Sequence, residues 1–142
     1  MRKIALSAER RLLYVDSSAL VKLVIEEPET SALERHLTDH PAVMVTSRLA
    51  LVEVARAAKL ANPSEEVQTE VDRLLSSCML VAVSASLLRA SRQLASATVR
   101  TLDAIHLASA LRVEADELLA YDHRLLAAAG AQGLPVITPS SP

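Results

Sequence analysis

Four short apolar runs, Leu12–Val15, Ala42–Val45, Met79–Val83 and Leu118–Tyr121, are separated by stretches with helical periodicity. A run of four or five such residues is short for a helix and suits a strand covered on both faces. Strands that alternate with helices predict a mostly parallel sheet, because each parallel return needs a crossover long enough to hold a helix. The chain therefore reads as an α/β domain, with a central, mostly parallel sheet of four to five strands flanked by helices. Pro135–Thr138 reads as a final edge strand.

Helix signals fall between these runs. Asp16 or Ser17 can cap a helix to about Ile25, ended by Pro28, and Thr30 or Ser31 a second one through Leu37. Ser47 opens a helix through Leu60, closed by Asn62-Pro63, and Ser64 caps the next, with Val67, Val71, Leu74 and Leu75 on one face. Further helices are expected over Ser86–Leu94, Thr101–Val113 and Asp122–Ala129.

Composition narrows the function classes. The chain has 142 residues, 51% of them hydrophobic, with two Tyr and neither Phe nor Trp, so the core is aliphatic and base-stacking platforms are scarce. A net charge of −2 rules out a global basic field. Of the 15 basic residues most are arginine, which suits bidentate phosphate contacts, so a basic rim around an acidic centre is compatible with these counts. The single cysteine, Cys78, excludes a disulfide within the chain and a cysteine-based zinc site, and reads as a buried structural thiol. Two glycines leave no phosphate-cradling loop. No apolar run approaches the ~20 residues that span a bilayer, and Glu9, Arg10 and Arg11 interrupt a signal-like start, so a cytoplasmic protein without a membrane segment is expected.

Four acids stand apart from the rest. Asp16 closes the first strand, Asp122 follows the fourth, Glu53 interrupts an apolar helix, and Asp103 opens a nearly all-apolar one. Each has a plain explanation alone: Asp16 and Asp122 as helix caps, Asp103 as an answer to the helix dipole, Glu53 as a partner of Arg56. Together they differ from Glu26, Glu27, Glu29, Glu65, Glu66, Glu70 and Asp72, which read as solvating charges. Glu53 shares a helix face with Leu49, Ala50, Ala57 and Leu60, so it is expected to point inward. Carboxylates drawn together resist ionisation, and a hard cation reverses this. Oxygen-only ligands select Mg²⁺ or Mn²⁺, which can activate water against a phosphodiester.

The histidines read differently. His36, His40 and His123 are expected to be solvated, and His106, one turn after Asp103, to be a packed residue hydrogen-bonded within its helix neighbourhood, with a metal ligand as the alternative reading. Ser17 and Ser18 lack an evident base and read as caps and supports for Asp16. A phosphatase or phospho-acceptor site would place a second acid where these serines stand.

Tyr14-Val15-Asp16-Ser17-Ser18-Ala19-Leu20-Val21-Lys22 resembles the opening motif of PIN-domain proteins. Thr46-Ser47 followed by Glu53 and Arg56 is similar to their second motif, Thr101-Leu102-Asp103-Ala104-Ile105-His106-Leu107-Ala108 to the third, and Tyr121-Asp122-His123-Arg124-Leu125 to the fourth. The likeness spans about residues 12–138 and points to the VapC type, toxins of bacterial toxin–antitoxin pairs. It leaves residues 1–11 as an N-terminal extension and 139–142 as a tail. Ala120 departs from the pattern, which often has Thr or Ser there.

The resemblance implies a PIN fold and a Mg²⁺- or Mn²⁺-dependent endoribonuclease. By position, Asp16, Glu53, Asp103 and Asp122 form the acidic quartet. Asp16 and Asp103 are the principal metal ligands, and Glu53 and Asp122 bind directly, through water, or position the attacking water. Thr46, Ser47 and Ser17 support the site. A homodimer is implied, with a VapB-like antitoxin whose C-terminal segment occupies the active-site groove. Lys22, Arg48, Arg100 and Arg124 lie near the quartet in sequence and are expected to hold RNA phosphates. The alternatives are a PIN nuclease of RNA maturation and a non-catalytic partner subunit with the same fold.

Overall fold

The computed structural model describes residues 10–141. Five parallel strands form one sheet: β1 (Leu12–Val15), β2 (Val43–Ser47), β3 (Met79–Val81), β4 (Glu117–Leu119) and β5 (Val136–Ile137). Their order is β3-β2-β1-β4-β5. The helices are α1 (Ser17–Val21), α2 (Thr30–Asp39), α3 (Ala50–Ala61), α4 (Glu65–Ser76), α5 (Ala85–Leu94), α6 (Thr101–Arg112) and α7 (His123–Ala131). The extension expected at 1–11 falls, apart from Arg10 and Arg11, outside the described residues. Among the described residues no helix is long and apolar enough to cross a membrane.

The chain builds outward from β1 to β2 and β3, then returns through α5 and α6 to place β4 on the other side of β1. The order thus reverses between β1 and β4, and in open parallel sheets the crevice beyond the strand ends at such a reversal is where ligands sit. Val15 is in register with Leu119, and the Asp16 N–H donates to the Leu119 carbonyl at 3.0 Å, so the two strand tips end level.

Strand alternation divides the core between the two faces of the sheet. Leu13 and Val15 pack with Leu20, Leu33, Val54 and Leu75 on one side, while Tyr14 and Val45 pack with Leu107, Leu118 and Leu125 on the other. Helix α6 is buried continuously from Ala104 to Ala110, which explains its apolar composition on all sides. Helix α1 stops at Val21, short of the expected Ile25, and the chain continues in turns with i→i+3 and i→i+4 backbone bonds to Ile25.

The buried face of α3 is Ala50, Val54 and Ala58. Leu60, expected on the inward face, is 69% exposed, because these small residues set the contact line and Leu60 lies off it. Glu53 therefore sits at the margin of the buried face, half-buried. Cys78 is partly buried, as burial of its thiol and a 3.5 Å contact to the Leu74 carbonyl show, and burial raises its pKa. Gly133, with φ 80°, makes the left-handed turn from α7 into β5.

Candidate active site

Three helix N-termini meet beyond the ends of β1 and β4, and an aspartate stands at each. Asp16 caps α1, its Oδ2 accepting from the Ser18 N–H at 3.3 Å. Asp122 caps α7, its Oδ1 accepting from the Arg124 N–H at 2.9 Å and the Leu125 N–H at 3.4 Å. Asp103, in the first turn of α6, accepts at Oδ2 from the Arg100 N–H at 3.3 Å. Capping uses one oxygen of each carboxylate. The other oxygen, Oδ1 of Asp16, Oδ1 of Asp103 and Oδ2 of Asp122, has no hydrogen bond to a described residue. The capping role and a ligand role are thus compatible in the same side chain.

These aspartates and Glu53 line one cavity of about 650 Å³, together with Ser17, Ser18, Ser96, Arg100, His106 and Arg124. Asp16 is 5% exposed. Burial, then the charges of Asp122 and Asp16, push the Asp103 carboxyl above its ordinary pKa against the stabilising Arg100 N–H. A cation among these oxygens would relieve that strain between like charges. Among the described residues no group of three or more His, Cys, Asp or Glu side chains stands close enough together to hold a metal ion. The donor chemistry, carboxylate oxygens without a sulfur ligand on one open cavity, suits Mg²⁺ or Mn²⁺, which retain several waters.

Glu53 is held differently. Its Oε1 accepts from Ser17 Oγ at 2.7 Å and from His106 Nε2 at 2.7 Å. Burial alone would raise its pKa, but the His106 and Ser17 bonds outweigh burial and lower it. His106 is 3% exposed, with Nδ1 2.7 Å from the Tyr14 hydroxyl and Nε2 3.6 Å from Asp16 Oδ1. Burial favours its neutral form, and Glu53 and Asp16 reverse the effect and raise its pKa. Burial and the Asp16 charge push the Tyr14 phenol far above its ordinary value. The partners of His106 come from β1 and α3, not from its own helix neighbourhood. The signal in the sequence is the spacing: Asp103 and His106 are three apart and share one face of α6.

Of the other residues singled out by sequence, Ser17 lines the cavity and donates to Glu53. Thr46 is fully buried beside the Tyr14 hydroxyl, and Ser47 Oγ accepts from the Leu49 N–H at 3.0 Å; neither lines the cavity. Arg100 and Arg124 line it and are exposed, whereas Arg48, also exposed, does not. Lys22 is buried outside the cavity. Its Nζ pairs with Glu29 at 3.0 Å and Glu27 at 3.3 Å and lies 4.7 Å from the centre of the Tyr121 ring. Glu27 and Glu29 are therefore ion-pair partners, not purely solvating charges, and they hold the Lys22 ammonium away from the cavity.

Compared with protein families, residues 13–131 match the PIN domain. The chain belongs to the PIN-domain family. Its relatives place it with the VapC type of PIN-domain protein. Ribonuclease VapC46 of Mycobacterium tuberculosis is 44% identical over 131 residues, which cover 90% of this chain and 98% of that protein. Ribonuclease VapC47 of the same species is 35% identical over 136 residues, 92% of this chain and 98% of the relative. Among solved structures, Mycobacterium tuberculosis VapC20, a sarcin–ricin loop cleaving toxin, superposes with a TM-score of 0.70 at 20% identity, covering 82% of this chain and 94% of that one. A toxin–antitoxin complex from Klebsiella pneumoniae gives 0.71 at 22% identity, with coverage of 92% and 99%. At these identities the structures bear on the PIN fold alone, and that five-stranded parallel architecture is the one expected from the strand pattern.

Proposed function

We propose that this chain is a metal-dependent endoribonuclease and the toxin of a toxin–antitoxin pair. The observation that carries the reading is the convergence of Asp16, Asp103, Asp122 and Glu53 on one cavity at the β1–β4 crevice. The VapC relatives named as ribonucleases supply the substrate class. Asp16 and Asp103 would hold a Mg²⁺ or Mn²⁺ ion, with Asp122 as a further or water-mediated ligand. The ion, when bound, lowers the pKa of water and neutralises charge that develops on the phosphodiester.

The protein's own part is positional. The buried Asp16, its hydroxyl partner Ser18 and the anchored Glu53 are pre-organised, so little reorganisation accompanies the reaction. Glu53, with Oε1 held by two donors, is suited to orient the attacking water through Oε2. Arg100 and Arg124 on the cavity wall suit contacts to the flanking phosphates. The antitoxin partner and a homodimer belong to the same proposal; one solved structure with this fold is a toxin–antitoxin complex.

The experiment is cleavage mapping on total bacterial RNA with Mg²⁺, comparing the wild type with Asp16→Asn and Asp103→Asn. Site-specific cleavage by the wild type and none by either folded variant is expected. Undiminished cleavage by either variant would overturn the assignment. Growth arrest on expression, relieved by a neighbouring small gene, separates a toxin from a nuclease of RNA maturation.

A further inference from the structure

Glu53 Oε1 is gripped from two sides, by residues next to or one turn from the two main candidate ligands. Ser17 follows Asp16 at the strand tip, and His106 lies on the face of α6 that carries Asp103. Both bonds are 2.7 Å. The imidazole cannot swing away from Glu53, because its other nitrogen is bonded at 2.7 Å to the hydroxyl of Tyr14, a fully buried residue in the centre of the sheet. The result is a chain of contacts, Tyr14–His106–Glu53–Ser17, that joins β1, α6, α3 and α1. Glu53 Oε2 is left without a hydrogen bond to a described residue on a side chain that lines the cavity.

A histidine serving only to fill the core would not need both ring nitrogens in short bonds, one of them to a cavity carboxylate. We propose that His106 is a positioning residue: fixed by Tyr14, it locks one oxygen of Glu53 so that the other is aimed at the water that attacks the phosphodiester. This rests on the nuclease reading above. It assigns Glu53 to water orientation and not to the metal, and it gives His106 no contact with substrate.

The test compares His106→Leu, which removes both ring nitrogens, with His106→Gln, whose amide N–H can replace the Nε2 donor. Kinetics use the RNA fragment spanning the strongest wild-type cleavage site. His106→Leu is expected to lower kcat by about 10- to 100-fold, the usual range for a residue that orients another, with KM nearly unchanged. His106→Gln should recover most of the loss. In a Glu53→Gln background, His106→Leu should add no further loss, since its effect runs through Glu53. Mn²⁺ affinity by calorimetry should stay near the wild-type value in His106→Leu.

A folded His106→Leu enzyme with wild-type kcat overturns the proposal. So does a loss that multiplies with that of Glu53→Gln, or a Mn²⁺ affinity that collapses, which would make His106 a support of the metal instead. If His106→Leu does not fold, Tyr14→Phe, which removes the one hydroxyl, must show a smaller kcat loss that vanishes in the Glu53→Gln background. A wild type that binds Mn²⁺ yet cleaves no RNA refutes the nuclease reading itself, and with it this role, and is recognised before any variant is compared.

Discussion

Ser18 holds Asp16 from one side: its Oγ donates to Asp16 Oδ2 at 2.7 Å, and its backbone N–H approaches the same oxygen at 3.3 Å. The same hydroxyl accepts from the Tyr121 N–H at 3.1 Å, one residue before Asp122. One side chain therefore ties Asp16 to the backbone of the residue before Asp122. Ser18→Ala should cost about 1–3 kcal/mol, because a buried carboxylate and a half-buried N–H both lose a partner. Mn²⁺ affinity should fall in parallel. Urea unfolding and calorimetry check both, and an unchanged midpoint together with unchanged affinity would show that this tie is dispensable.

Mg²⁺ should stabilise the fold, by roughly 1.4 kcal/mol at ten times its dissociation constant. Asp16→Asn and Asp103→Asn should melt without that shift, since each removes a candidate ligand charge. Thermal melts across a Mg²⁺ series read this without any RNA. A wild-type melting temperature that millimolar Mg²⁺ leaves in place argues against a site of useful affinity.

Lys22 predicts a pH-dependent difference away from the cavity. Its hydrogen bond holds the Glu29 carboxyl below the ordinary value of 4.5. Burial opposes the Lys22 charge, but Glu29 and Glu27 outweigh it and raise Lys22 above 10.5. A depressed carboxylate stabilises above its unfolded pKa and loses that stabilisation as pH falls; a raised lysine stabilises below its unfolded pKa and loses it as pH rises. Lys22→Met should therefore melt below the wild type between about pH 4.5 and 10.5, with the gap closing on the acid side. RNA cleavage at neutral pH should be intact. Melting curves at pH 3 and pH 7 decide the first point, and a cleavage defect in the folded variant would return Lys22 to the list of phosphate contacts.

Arg124 and Arg48 should separate. Arg124 lines the cavity and Arg48 does not, although both are exposed. Arg124→Ala should raise KM for RNA about ten-fold, the loss of roughly one charge-assisted contact, with kcat preserved and a shallower salt dependence. Arg48→Ala should leave both constants alone. Equal effects from the two would mean that the RNA path is not set by this cavity.

Much of the architecture was legible in the chain because its causes are local. Short continuous apolar runs marked the strands, serine and aspartate caps opened helices where Ser64 and Asp122 stand, and the apolar run after Asp103 foretold a buried helix. The acids themselves stood out because isolated carboxylates in apolar surroundings need compensation.

Other features depended on distance in space. Nothing near Lys22 in sequence announces that it lies under Tyr121, and nothing near His106 announces Tyr14, 92 positions away, as its partner. The inward tilt expected for Leu60 failed because helix periodicity gives a face but not the line along which that face touches its neighbour. Strand order is the deepest case: β1 and β4 are adjacent only because the chain reverses direction across the sheet, and that reversal brings Asp16 to Asp122. Periodicity and caps act over a few residues, so the amino-acid order specifies them directly. The free oxygen on each aspartate, and the grip on Glu53, exist only once long-range packing has closed those crossovers.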